Sequence, residues 1–299
     1  MSINNIPCMH FPTQLILIDD SRELLDRLSF ALSPKYRCEY YTSPGEALRY
    51  LMTRSHEVET LFSQYMTVSE EQYDPNKPAR TLDCYAVHQQ IYKRPVRFEL
   101  PVVLVVDYSM PEMDGLTFCR QLKKYPFKKI MLTGDADKNF AVNAFNAGDI
   151  NRFLMKDEPN TMAMLKSYIE ELNEEYFSDL SKRVILSIDT DLKNILTEES
   201  FCDLFRQIIA ENNIVEYYIF NHYGCFLMLD AYAAPYWLIV ITEPDMERMY
   251  EIAADDNAPT MALAALNSRT QIPFFTTAKD EAVSAQYWLL HPAKKLIRK

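Results

Sequence analysis

Apolar residues in this chain fall into short blocks of two kinds that alternate along its first half. "LILIDD" (Leu15 to Asp20), "CEYYTS" (Cys38 to Ser43), "VVLVVD" (Val102 to Asp107), "KKIMLT" (Lys128 to Thr133) and "INRFLMK" (Ile150 to Lys156) are strand-length runs bounded by turn residues. Between them the apolar positions recur at helical spacing. In "SRELLDRLSFAL" these are Leu24, Leu25, Leu28 and Ala31 or Leu32, and Ser21 stands where a cap is needed. "PGEALRYLM", "LTFCRQLKKY" and "DADKNFAVNAFNAGD", which ends near Gly148, continue the alternation. A long helix is predicted to begin near Pro159. Strands alternating with helices of this length predict a parallel sheet covered on both faces.

The expected fold is therefore α/β, a doubly wound five-stranded parallel sheet of flavodoxin-like layout over residues 13–160. In such sheets ligands sit outside the carboxyl ends of the strands. At those ends stand Asp19 and Asp20 (first strand), Asp107 (third), Thr133 (fourth) and Lys156 (fifth). A lone aspartate after a strand is an ordinary turn residue. Three carboxylates, a hydroxyl and an ammonium on one rim make a site. Clustered carboxylates repel one another unless a cation is present, and oxygen ligands of this kind suit magnesium. The lysine and the hydroxyl suit an incoming phosphoryl group. Phosphoryl transfer onto Asp107, assisted by metal and lysine, is the chemistry this set predicts.

"DYSMPEMDG" (Asp107 to Gly115) matches D-x-x-M-P-x-x-x-G, and residues 13–160 resemble the receiver domain of two-component response regulators. The resemblance implies that Asp107 is the phosphoacceptor. It implies that Asp20 binds Mg2+ directly, with Asp19 helping and the main-chain carbonyl of Ser109 as a further ligand. Thr133 would be the switch hydroxyl, Lys156 the phosphate-contacting lysine, and Phe153 the aromatic that rotates with the switch. A sensor histidine kinase or phosphotransfer protein is the implied partner. Two features depart from the family. Asp157, rather than proline, follows Lys156. Asp20 and Asp107 lie 87 positions apart, about twice the usual receiver interval, which implies an insertion over about 54–99. Its "HEVETLFSQYM" and "DCYAVHQQIYK" read as helices and "SEEQYDPNKPART" as a loop, serving either partner recognition or plain elaboration of the scaffold.

Past the receiver, Met162, Leu165, Ile169, Leu172 and Tyr176 form a heptad-like stripe. A linker helix over 161–182 is expected, its later turns having no sheet to cover and so available as the seam of a homodimer. The adjoining fourth-helix and fifth-strand face is the other candidate seam. Residues 183–299 then predict a small α+β domain. "TEESFCDLFRQIIAENN" reads as a helix, "VEYYIFN", "GCFLMLDA" and "PYWLIVITE" as an antiparallel meander, and "PDMERMYEIAADD" and "TMALAALN" as two more helices. The whole architecture resembles a proteobacterial class of response regulators with an uncharacterised output domain, one of them a quorum-sensing regulator.

Composition narrows the function further. The formal net charge is −11, and from Val184 onward there are 16 acidic residues against 9 basic ones. A surface that neutralises phosphates needs the opposite sign, so DNA is the least expected partner. The six cysteines form no C-x-x-C pair and read as reduced thiols. No apolar run approaches the roughly 20 residues of a membrane helix, and the start carries no secretory pattern. A cytoplasmic protein without membrane insertion is expected. No catalytic motif marks the second half, and an enzyme or nucleotide-binding output remains the alternative to one acting by protein interaction.

Overall fold

The computed structural model describes residues 6–63, 66–67, 81–82, 95–134, 138–185, 194, 196–219, 225–273 and 290–292. Five strands form the parallel sheet: β2 (Gln14–Ile18), β3 (Arg37–Tyr41), β6 (Pro101–Asp107), β7 (Lys128–Thr133) and β8 (Arg152–Met155). Their spatial order is β3-β2-β6-β7-β8, and every neighbouring pair is parallel. This is the doubly wound order expected. Between the strands run α1 (Arg22–Leu32), α2 (Pro44–Ser63), α3 (Gly115–Gln121) and α4 (Lys138–Asn146), followed by α5 (Thr161–Ile185).

Burial explains why the central strand β6 is apolar up to its last residue. All seven residues of β6 are buried, Asp107 included. Val103 and Val105 belong to one core with Leu25 of α1 and Leu165 and Ile169 of α5. Leu104 and Val106 belong to the other, with Leu51 of α2, Phe118 of α3 and Ala141 and Ala144 of α4. A strand between two helical layers has no polar face, so the alternation of a half-exposed strand is lost. Helix starts follow local chemistry. The hydroxyl of Ser21 accepts a hydrogen bond from the Leu24 N–H, and Asp114 accepts one from the Thr117 N–H at 2.7 Å. Gly148, at φ 68°, lies in the left-handed turn just after α4.

A second sheet has four strands in the order β1-β9-β10-β11. Here β9 (Ile214–Ile219), β10 (Phe226–Asp230) and β11 (Pro235–Leu238) are the expected meander. The fourth strand, β1 (Met9–His10), comes from the far end of the chain and pairs antiparallel with β9, Met9 opposite Tyr218 and His10 opposite Tyr217. Only Phe11, Pro12 and Thr13 separate β1 from β2, so consecutive strands lie in different sheets. Before β9 comes α6 (Glu199–Glu211).

The chain forms two compact units, 1–222 with 227–236 and 223–226 with 237–299. The segments expected to be receiver (13–160) and linker helix (161–182) therefore share one unit with most of the antiparallel sheet. The expectation that the later turns of α5 have nothing to cover is corrected. Leu172, Tyr176 and Phe177 are buried in the same core as Phe11, Leu15 and Tyr218. Phe177 packs edge-on to Phe11 with ring centroids 4.9 Å apart. Cys8 donates its N–H to the hydroxyl of Ser181 at 2.8 Å. The apolar stripe is used within the chain.

The insertion also differs from expectation. "HEVETLFS" continues α2 to Ser63 instead of starting a new helix. Two short strands follow, β4 (Met66–Thr67) and β5 (Thr81–Leu82), paired antiparallel. "DCYAVHQQIYK" and nearly all of "SEEQYDPNKPART" lie outside the described residues. In the second unit, α7 (Glu243–Asp255) and α8 (Thr260–Asn267) bury Met246, Ala253, Ala258 and Leu266 together. A capping box between Thr242 and Asp245 opens α7, so the last two residues of "PYWLIVITE" belong to the helix start, and the strand covers only Pro235–Leu238. A last antiparallel pair joins β12 (Gln271–Pro273) and β13 (Leu290–Pro292).

Candidate functional site at the carboxyl ends of the parallel strands

Asp107 ends the central strand β6, whose backbone pairs with β2 on one side and β7 on the other. The chain then turns sharply. The N–H of Gly115 donates to the Tyr108 carbonyl at 2.8 Å, bringing the start of α3 onto the strand end. A Cβ on residue 115 would stand 2.2 Å from the Asp107 carbonyl oxygen and 3.1 Å from the Tyr108 Cα. Glycine is required there because two backbones touch. The glycine of D-x-x-M-P-x-x-x-G is thus explained by contact with the aspartate of the same motif.

The rim residues come together. The Lys156 ammonium lies 2.9 Å from Asp19 Oδ2 and 2.8 Å from Asp107 Oδ1. Asp19 and Asp107 are 1% and 4% exposed. Asp19 also accepts the Ser21 N–H at 2.8 Å. Asp20 is exposed and meets no cation among the described residues. One oxygen each from Asp19, Asp20 and Asp107 lies within 4.8 Å of the others. Three carboxylates face one ammonium, so the pocket carries an excess of negative charge. Its donors are all oxygen, and that excess together with that donor set fits a hard divalent cation.

The electrostatics agree with an unbalanced site. Burial pushes the Asp107 carboxyl above its ordinary range, and the neighbouring Asp19 adds to this. Hydrogen bonds from Lys156 and the Ser109 N–H pull the other way without cancelling it. For Lys156, burial disfavours the ammonium, but hydrogen bonds to Asp107 and Asp19 outweigh this and raise its pKa. The lysine is held charged by two acids, one of which is itself poorly stabilised as an anion.

Thr133 is fully buried at the end of β7. Its hydroxyl donates to the Gly134 carbonyl at 3.2 Å. Phe153, half-buried on β8, meets Phe145 of α4 edge-on at 6.4 Å. Ser109 is exposed in the turn after Asp107. The structure thus gathers Asp19, Asp20, Asp107 and Lys156 into one cluster, with Thr133 and Phe153 on the adjoining strands. Described peptide bonds are all trans, Lys156–Asp157 among them.

Sequence patterning did not reveal a second buried charge cluster. Arg97 Nε is 2.7 Å from Glu216 Oε1, and Arg97 Nη2 is 3.1 Å from Glu216 Oε2. The Tyr218 hydroxyl donates to the same carboxylate. Arg97 lies in a short 3-10 turn, Pro95–Glu99, just before β6, whereas Glu216 and Tyr218 are on β9. No local signal links residues 119 positions apart.

A family model described as the response regulator receiver domain matches residues 86–170. The structure is similar to that of the Legionella pneumophila response regulator LqsR, with 32% sequence identity and a TM-score of 0.78. That match covers 98% of this chain and 85% of the other. The DNA-binding transcriptional regulator NtrC of Proteus hauseri is 32% identical over 94 residues, 30% of this chain and 20% of that protein. The chain therefore spans about a fifth of that curated relative's length. The doubly wound sheet, the motif at the end of β6 and a likeness that runs over nearly the whole chain lead to one assignment: the chain belongs to the response regulator family and carries the receiver domain of a two-component system.

Proposed function

We propose that Asp107 accepts a phosphoryl group from a sensor histidine kinase or a phosphotransfer protein. The observation that supports this best is the Lys156 ammonium bridging Asp19 and Asp107 in a buried, otherwise acidic pocket. A carboxylate oxygen of Asp107 attacks phosphorus, the bond from phosphorus to the donor breaks, and the donor leaves with that electron pair. Lys156 is within reach of the oxygens that gain charge in this step. Its contact with Asp19 keeps the ammonium over the site before the donor arrives. Mg2+, held by Asp19, Asp20, Asp107 and the Ser109 main-chain carbonyl, would supply the positive charge that lets an anionic donor approach three carboxylates.

After transfer, the Thr133 hydroxyl leaves the Gly134 carbonyl and donates to a phosphoryl oxygen. Phe153 then turns toward the space behind β7, and the outer face of α4 and β8 changes. Phe140 and Phe145 already stand 53% and 44% exposed on α4. With the α5 stripe buried in the core, this face is the candidate seam of a phosphorylation-dependent homodimer. The remaining strands and helices would pass the signal on by protein interaction, in the cytoplasm. Among the described residues no helix is long and apolar enough to cross a membrane.

Acetyl phosphate with Mg2+ tests the reading. Intact mass should rise by one phosphate in the wild type and stay unchanged in Asp107→Asn or after chelation. Light scattering over a concentration series should show more dimer in the phosphorylated sample. Equal phosphate gain in Asp107→Asn would overturn the acceptor assignment, and identical masses at every concentration would overturn the dimer switch.

A further inference from the structure

Tyr108 follows the proposed phosphoacceptor directly, and its backbone is held from two sides. Its N–H donates to the Leu132 carbonyl of β7 at 2.9 Å, and its own carbonyl accepts the Gly115 N–H. Its side chain lies nearly parallel to the ring of Phe140 on α4, with centroids 5.8 Å apart and 18° between the planes. Phe140 is more than half exposed, so core burial does not account for where its ring sits. Tyr108 and Phe153 both pack on the core beneath α4. Thr133 is two residues beyond Met131, a member of that core, so alternation places it on the same face of β7. The strand β7 lies between β6 and β8. One aromatic pair therefore joins α4 to each side of Thr133, Tyr108–Phe140 toward β6 and Phe145–Phe153 toward β8.

We propose that the Tyr108–Phe140 stack is a positioning clamp, tying α4 to the strand that carries Asp107 and limiting the access of water to the acyl phosphate formed there. The proposal rests on the phosphoacceptor reading above. The two pairs differ in what anchors them. Phe153 is to rotate when Thr133 moves, so the pair it makes with Phe145 breaks in the switch. Tyr108 has its backbone bonded to both β7 and α3 and stays in place, which makes its stack the fixed end of the helix. Hydrolysis is the step this controls. Water attacks phosphorus, the bond to the Asp107 oxygen breaks, the carboxylate leaves with the electron pair, and phosphate keeps the water's oxygen and one proton while the other proton passes to solvent. A helix loosened at its Tyr108 end leaves the rim open to that water for more of the time.

The test loads full-length protein with acetyl phosphate and Mg2+, removes the donor, and follows loss of the phosphate by intact mass. Tyr108→Ala and Phe140→Ala should lose it about three- to tenfold faster than wild type. Tyr108→Phe, which keeps the stack, should decay as wild type does. Amide hydrogen exchange on unphosphorylated protein gives an independent reading. Residues 138–146 should exchange faster in Tyr108→Ala, while α1 is unchanged. Equal decay in all variants would overturn the clamp. So would unchanged exchange in α4, and this holds even if the wild type took up no phosphate, a result that would instead refute the acceptor reading. Faster exchange throughout the molecule would show general loosening and would also refute the clamp.

Discussion

At the two ends of β6 lie two buried charge clusters of opposite character. Before the strand, among the described residues, Arg97 is joined to Glu216 through two hydrogen bonds, and the Tyr218 hydroxyl donates to the same carboxylate. At its end, Lys156 is shared between Asp19 and Asp107, and Asp20 stands beside them. Both clusters lie largely out of water, where an unpaired charge is expensive. Among the described residues the first sets one guanidinium against one carboxylate. The second is left short of positive charge, a shortage that a hard divalent cation can relieve. Charge balance separates a contact that holds two elements together from a site that waits for ligands.

Three changes break or sharpen this comparison. The largest effect should come from Glu216→Ala, which leaves the Arg97 guanidinium buried without its acid. Denaturant unfolding should show a loss of about 3–5 kcal/mol, as for other broken buried pairs. Phosphate uptake by whatever protein remains folded should persist, because the cluster lies at the other end of β6.

Asp19→Asn should act in the reverse direction. It removes one of three clustered carboxylates while its amide oxygen can still accept the Ser21 N–H. In metal-free buffer stability should rise by up to about 1 kcal/mol, measured by the same unfolding experiment. A loss as large as that of Glu216→Ala would erase the distinction between the clusters.

The smallest effect is in pH dependence. Burial raises the Asp107 carboxyl in the folded state. Its contribution is therefore fully present below the ordinary carboxylate pKa and is lost as pH rises through the raised value. In metal-free buffer the wild type should lose stability relative to Asp107→Asn across that window. Unfolding midpoints collected from about pH 4 to pH 7 check the sign, and added Mg2+ should shrink the difference.

Much of the rim was legible before the structure. The strand β6 is apolar until its last residue, Asp107, and β7 is apolar from Ile130 to Leu132 before Thr133, so pattern alone marks where each leaves the core. The second helix was legible at its start but not at its end. Nothing in "HEVETLFS" distinguishes a continuing helix from a new one, since both carry the same period. The stripe on α5 is legible in the sequence, but the elements that cover it are not. Helical periodicity shows that a face is buried without showing what covers it, and Phe11 and Tyr218 arrive from distant parts of the chain. The Tyr108–Phe140 stack had no signal of its own, because a single aromatic after a strand is compatible with many neighbours.

The chain by itself determined the elements whose causes are local or periodic. These are the five strands, the capped helices and the order of polar residues at the strand ends. They follow from burial on two faces and from hydrogen bonding within a few residues. Only the tertiary structure decided the pairings between distant segments. Met9–His10 joins the sheet of Ile214–Ile219, Arg97 finds Glu216, and Lys156 lies between Asp19 and Asp107 closely enough to leave a charge deficit. Such pairings depend on which strand edge and which buried charge are left open once the rest of the chain has folded, and no short stretch of sequence carries that information.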